Sequence, residues 1–142
     1  MAIRTANARW EGTLTEGSGV IRTGKGGITG NYSFKSRFEE GEGTNPEELI
    51  GAAHAGCYSM ALSSELSKAG FPPVSVDTTA SVNFDRVDGA PTVVGIDLVT
   101  TATVPGIEEA KFQEIAEAAK NGCPISRLLA PGTKITLTAT LA

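Results

Sequence analysis

The sequence has 142 residues, of which 40% are hydrophobic and 20% charged, and a formal net charge of −4. This length predicts one domain, residues 1–142, that can bury a core without a disulfide or metal staple. No Lys/Arg stripe is available for nucleic acid, and no apolar run is long enough to span a membrane. Because Met1–Trp10 lacks the apolar segment of a signal peptide, we expect a cytoplasmic protein with reduced thiols.

The first half of the chain predicts short strands followed by one long helix. Strands are expected at 8–14, 19–23 and 31–37, with a turn at 41–45. Asn45 can cap a helix whose first residue is Pro46, and Glu47 and Glu48 favour its positive end. This helix can continue to residue 69, where Gly70 ends it.

The second half predicts a hairpin, two helices and a last strand. Apolar residues alternate at 74–84 and again at 94–104, around a turn at 87–91. A helix at about 107–120 ends at Gly122, a short helix is expected from Cys123 to Leu129, and residues 135–141 alternate as a strand. Strands and helices are segregated along the chain, which predicts an α+β fold with mainly antiparallel pairing.

The side chains of the long helix are unusually small around Cys57. Gly51 and Gly56 lie within it among several alanines, although glycine in a helix costs about 1 kcal/mol relative to alanine. Two interpretations stay open: tight packing inside the core, or a helix at the centre of a dimer.

Cys57 and Cys123 are the candidate reactive residues. A cysteine inside a helix is often only a small core residue, but Cys123, after a glycine and before a proline, is expected at a helix N-terminus that favours a thiolate. The two suit a redox pair, although their spacing does not show that they meet. His54, three residues before Cys57, suggests a metal site or an acyl-transfer pair only weakly, and we expect it to be a packed or interfacial residue.

The sequence resembles the osmotically inducible protein C (OsmC) family, which is related to the organic hydroperoxide resistance (Ohr) proteins. The main motif runs from Thr44 to Cys57, as TNPEELIGAAHAGC. Further motifs lie before and after it in the expected order: Trp10-Glu11-Gly12, Arg37-Phe38-Glu39, Val104-Pro105-Gly106 and Gly122-Cys123-Pro124-Ile125-Ser126. The resemblance covers nearly the whole chain and favours the OsmC branch. Tyr58, where phenylalanine would be usual, is a mild departure.

This resemblance implies an OsmC-like fold, in which sheets wrap long central helices of an intertwined homodimer with active sites at the subunit interface. It also implies a thiol peroxidase for organic hydroperoxides that needs no cofactor and no metal. Cys57 would attack the peroxide, Cys123 would resolve the sulfenic acid as a disulfide, and an external dithiol would reduce it. Arg37 and Glu47 would activate the Cys57 thiolate. The alternative is a dimeric stress protein that binds a small ligand without catalysis.

Helix geometry favours Glu47 over Glu48 as the carboxylate of the site. At about 100° per residue, Glu48 lies opposite Cys57, whereas Glu47 lies about 80° from it but about 15 Å away along the helix. We therefore expect Glu47 and Arg37 of one chain to serve Cys57 of the other. The alternative is that Glu47 only caps its helix. Near Cys57 we expect an apolar substrate pocket lined by the following residues: Ile50, Ala53, Met60, Ala61 and Phe38.

Overall fold

The computed structural model describes all residues, 1–142, as two compact units, Met1–Leu49 and Ile50–Ala142. Both units combine strands with helices, in agreement with the α+β prediction. No helix combines the length and the apolar character needed to cross a membrane. The prediction of a single domain over residues 1–142 stays a prediction.

The first unit contains a three-stranded antiparallel sheet and a short helix. The strands are β1 (Ala6–Glu11), β2 (Ser18–Thr23) and β3 (Thr29–Tyr32), in the order β1-β2-β3. The expected strand at 8–14 is too long, because Gly12 has a φ of 92° and ends β1 at Glu11. The expected strand at 31–37 is wrong beyond Tyr32.

Helix α1 (Phe34–Phe38) replaces the second half of that expected strand. Ser33 and Ser36 form a capping box, in which each side chain accepts a hydrogen bond from the other residue's backbone N–H. This reciprocal cap stabilises a single helical turn, and the turn contains Arg37.

Helix α2 (Pro46–Lys68) begins at Pro46 as predicted and ends one residue before the predicted end at residue 69. The Asn45 side chain accepts a hydrogen bond from the Glu48 backbone N–H at 2.8 Å, and Gly70 adopts a φ of 90° after the last turn. Within the second unit, a Cβ placed on Gly51 would come within 3.2 Å of the Ala80 carbonyl oxygen, so this glycine permits close packing of the helix against the backbone at Ala80. Gly56 has no such neighbour within 4 Å.

The second unit contains the other sheet, with β4 (Ser75–Val87), β5 (Ala90–Thr103) and β6 (Ile135–Leu141) in that order. The β4–β5 pair is antiparallel and the β5–β6 pair is parallel. The predicted alternation on β4 is confirmed, except that Val74 precedes the strand and is exposed. The turn is shorter than expected: Asp88 and Gly89, both with positive φ, form a two-residue hairpin loop.

Two helices connect β5 to β6. Helix α3 (Glu109–Gly122) includes Gly122, which the sequence placed after the helix, and α4 (Pro124–Leu129) follows directly. Cys123 is both the C-cap of α3 and the N-cap of α4. One apolar cluster joins these elements, with the following fully buried large side chains: Tyr58, Leu62, Leu66, Ile96, Leu98 and Phe112.

Candidate functional site

Cys57 and Cys123 meet in the second unit. Their sulfur atoms are 3.1 Å apart and joined by a hydrogen bond, and both residues are free cysteines. Cys57 is partly exposed, whereas Cys123 is completely buried. Two thiols 66 residues apart in sequence are therefore close enough to form a disulfide after a small movement.

Helices α2 and α4 set this geometry. Cys57 lies in the middle of α2, and the backbone N–H of Ile125, in the first turn of α4, donates a hydrogen bond to the Cys57 sulfur. Cys123 was predicted at a helix N-terminus, and its position as the N-cap of α4 confirms this.

The thiol of Cys57 is not acidic in this environment. Burial raises its pKa, and the adjacent Cys123 sulfur raises it further, while the Ile125 N–H lowers it. A thiol with a raised pKa carries little thiolate at neutral pH, and the thiolate is the nucleophile. The surroundings of the Cys57 sulfur within this chain therefore favour the thiol over the thiolate.

Arg37 and Glu47 form a second cluster in the first unit. Arg37 Nη2 donates to Glu47 Oε1 at 2.7 Å, and Arg37 Nε donates to both carboxylate oxygens at 3.2 Å. The Glu47 side chain is nearly buried, whereas that of Arg37 is about one-third exposed, with its guanidinium carbon 5.2 Å from the Phe38 ring centre. The capping box of α1 and the first turn of α2 hold this fork-shaped ion pair in place.

Glu48 has a different role from Glu47. Its backbone N–H bonds to Asn45, and its carboxylate accepts a hydrogen bond from Thr44 Oγ1 at 2.7 Å. Of the two adjacent carboxylates, Glu47 is thus the one that pairs with Arg37. The activating role of Arg37 and Glu47 stays a prediction.

His54 is packed in the interior of the second unit. Its Nε2 lies 2.7 Å from Ser126 Oγ on α4, and its Nδ1 is buried without a hydrogen-bond partner. The packed position of His54 agrees with the sequence analysis, whereas its contact with Ser126 could not be predicted from the sequence. The only signal was that Ser126 follows Cys123 by three residues, as Cys57 follows His54. No group of three His, Cys, Asp or Glu side chains that could hold a metal ion is present.

The expected apolar pocket stays a prediction. Ala53 and Met60 are exposed, and Ile50 and Ala61 are partly buried. Met60 lines a cavity of about 460 Å³ within the second unit, but the rest of its lining is mostly serine and valine and does not include Cys57.

Comparisons with known proteins agree on the family. The model of the family described as OsmC-like protein matches residues 39–138. Peroxiredoxin OsmC of Escherichia coli (strain K12) is 48% identical over 127 residues, which are 89% of this chain and 89% of that protein. The organic hydroperoxide resistance protein of Xanthomonas axonopodis pv. citri is 30% identical over 99 residues, 69% of this chain and 68% of that protein.

Solved structures show the same fold. The organic hydroperoxide resistance protein OhrB of Bacillus subtilis superimposes with a TM-score of 0.72 at 23% identity, covering 97% of this chain and 98% of that one. An organic hydroperoxide resistance protein from Elizabethkingia anophelis gives a TM-score of 0.76 at 21% identity, with 99% of each chain covered.

Proposed function

Because this chain belongs to the OsmC-like protein family, we propose that it is a thiol peroxidase that reduces organic hydroperoxides and serves in the defence against oxidative stress. The observation that carries this proposal is the 3.1 Å approach of one partly exposed and one buried thiol. The names of the relatives, a peroxiredoxin and an organic hydroperoxide resistance protein, support the same activity.

In the proposed reaction the Cys57 thiolate attacks the terminal oxygen of the hydroperoxide. The O–O bond breaks, the alcohol leaves with a proton, and Cys57 becomes a sulfenic acid. Cys123 then attacks the Cys57 sulfur, so that an S–S bond forms, the S–O bond breaks and water leaves. An external dithiol returns both cysteines to thiols. Cys57 takes the first role because it is the more exposed of the two.

In this proposal Arg37 provides a positive charge for the Cys57 thiolate, and Glu47 orients Arg37. A guanidinium near the Cys57 sulfur favours the thiolate and can donate hydrogen bonds to the departing oxygen. The Glu47 carboxylate, which already pairs with Arg37 at 2.7 Å, keeps the guanidinium in one orientation.

The length of α2 supports the proposal of a homodimer with shared active sites. Ten residues of helix, about 15 Å of rise, separate Glu47 from Cys57 within one chain. A second copy of α2 running antiparallel would bring each Glu47 toward the partner's Cys57. Such a copy could pack on an exposed stripe of α2 in which most side chains are small: Ala52, Ala53, Gly56 and Met60.

The proposed function is tested by titrating thiols with and without cumene hydroperoxide. We expect rapid loss of both thiols and one intramolecular disulfide per chain, identified by mass. Loss of thiols only at the rate of free cysteine in the same buffer would exclude a peroxidase. Turnover with several dithiols then identifies the class of reductant. The cytoplasmic location stays a prediction.

A further inference from the structure

Helices α2 and α4 are joined at two successive levels. Cys57 follows His54 by three positions on α2, and Ser126 follows Cys123 by three positions at the start of α4. The two sulfur atoms meet at 3.1 Å, and one helical turn away His54 Nε2 meets Ser126 Oγ at 2.7 Å. The same two backbone elements thus carry a thiol pair and, beside it, an imidazole–hydroxyl pair.

The imidazole–hydroxyl pair is shielded from solvent. His54 is 0% exposed and Ser126 is 3% exposed. Burial lowers the pKa of His54, so the ring is neutral at neutral pH. Whichever tautomer the ring adopts, Nδ1 has no partner, and the Ser126 hydroxyl is the one hydrogen-bond partner of the ring. A buried ring with one unpaired nitrogen is unfavourable for stability, so stability alone does not account for the position of His54 beside the thiols.

Cys123 is held by backbone hydrogen bonds to Ala119 and Arg127 and by burial in the apolar cluster, and its side chain hydrogen-bonds only to Cys57. It lies at the junction of α3 and α4 and its side chain makes no capping hydrogen bond. Helix α4 has only six residues, so the elements that it packs against determine where it lies. Hydrogen bonds are directional, whereas apolar contacts are not. The bond between His54 and Ser126 therefore restrains α4 against α2, in addition to the bond from the Ile125 N–H to the Cys57 sulfur.

We propose that the His54–Ser126 hydrogen bond positions α4 for disulfide formation, so that it raises the effective concentration of the Cys123 thiol at Cys57. This proposal rests on the proposed function for its catalytic meaning. His54 and Ser126 are positioning residues here: neither touches the peroxide. In the reaction, the Cys57 S–O bond breaks while the S–S bond forms, and the oxygen leaves as water with the Cys123 proton. A correctly placed Cys123 completes this step before a second peroxide can oxidise the sulfenic acid.

The test is a thiol–disulfide equilibrium in a defined dithiothreitol buffer, which needs no peroxide. Ser126→Ala should make the Cys57–Cys123 disulfide roughly fivefold less stable toward reduction, the worth of one hydrogen bond. Ser126→Thr keeps the hydroxyl and should recover most of the parent equilibrium. Ser59→Ala is the matched control, because Ser59 lies two residues after Cys57 but bonds to Thr78 at 2.8 Å on β4 rather than to α4. It should leave the equilibrium unchanged.

A second variant covers the case in which Ser126→Ala does not fold. The double change His54→Phe with Ser126→Ala removes both polar partners together. This destabilises the fold far less than leaving one buried polar group without a hydrogen bond. It should fold, as checked by far-UV circular dichroism, and should show the same roughly fivefold weakening. If Ser126→Ala or the folded double variant has the parent equilibrium, the proposal is wrong and the bond only packs α4.

Peroxide then gives an independent kinetic readout. With excess cumene hydroperoxide, Ser126→Ala should accumulate more sulfinic acid at Cys57 than Ser59→Ala, with the same rate of first oxidation. An equal sulfinic fraction in the two variants would also overturn the proposal. If the parent itself does not react with peroxide, the proposed function fails, while the equilibrium measurement still decides the role of His54 and Ser126.

Discussion

Mixed dimers of two inactive variants test whether an active site is shared between chains. Cys57→Ser lacks the proposed nucleophile, and Glu47→Ala leaves Arg37 without the carboxylate that pairs with it at 2.7 Å. Along α2, Glu47 and Cys57 of one chain are about 15 Å apart, too far for one carboxylate to serve the sulfur of its own chain through a single guanidinium. In a mixed dimer, one site would combine the intact Cys57 of one chain with the intact Glu47 of its partner.

The expected activity follows from counting sites. An equal mixture that is unfolded and refolded together gives about half mixed dimers, each with one complete site of two, hence roughly a quarter of the parent activity per chain. Mixed dimers isolated through two different tags should have about half. The assay is peroxide-dependent oxidation of a dithiol, and each variant refolded alone is the control. Mixed dimers as inactive as the variants alone would show that each site lies within one chain.

Four further predictions concern the thiols, the substrate and the fold. Cys57→Ser should no longer react with peroxide, whereas Cys123→Ser should still gain one oxygen; mass after one equivalent of peroxide measures both, and reaction of Cys57→Ser at the parent rate would reverse the roles. Organic hydroperoxides should react faster than hydrogen peroxide, since an apolar site gains about 25 cal/mol per Å² buried, and a measured preference for hydrogen peroxide would contradict an apolar pocket. Arg37→Gln should slow the reaction at neutral pH, and the rate should return as the pH rises, because burial raises the pKa of Cys57 and only the thiolate reacts. An unchanged pH profile of the rate would argue against a role of Arg37 in activating the thiolate. Tyr58→Phe should lower the free energy of unfolding by about 1 kcal/mol, since the buried hydroxyl donates to the Ala116 carbonyl at 3.0 Å, and urea unfolding checks this.

Much of the fold could be predicted because its signals are local. The start of α2 depends on Asn45 and Pro46, and its end depends on Gly70, all of which act within one helical turn. The alternation of β4 and β5 is a property of each strand alone. Helix α1 could not be predicted in the same way, because five residues are too short for a periodic pattern and Ser33 and Ser36 decide the outcome.

The contacts of the site depend on distant parts of the chain. Cys57 meets Cys123 across 66 residues, and His54 meets Ser126 across 72. The parallel pairing of β5 with β6 was also beyond the sequence, since alternation is the same in parallel and antiparallel strands. The two glycines of α2 show the same limit: close packing on Ala80 explains Gly51, whereas no atom beyond the adjoining helical residues comes within 4 Å of a Cβ placed on Gly56.

The parallel β5–β6 pair has a consequence for how the protein is made. Two parallel neighbours require a long return of the chain, and here that return contains α3, α4 and Cys123. Cys123 therefore leaves the ribosome well after α2 and the β4–β5 hairpin, and it reaches Cys57 only when the return path has folded against them. Contacts this far apart in sequence form late in folding. We therefore expect Cys57 and Cys123 to be apart in the nascent chain and to come into contact only once the second sheet is complete.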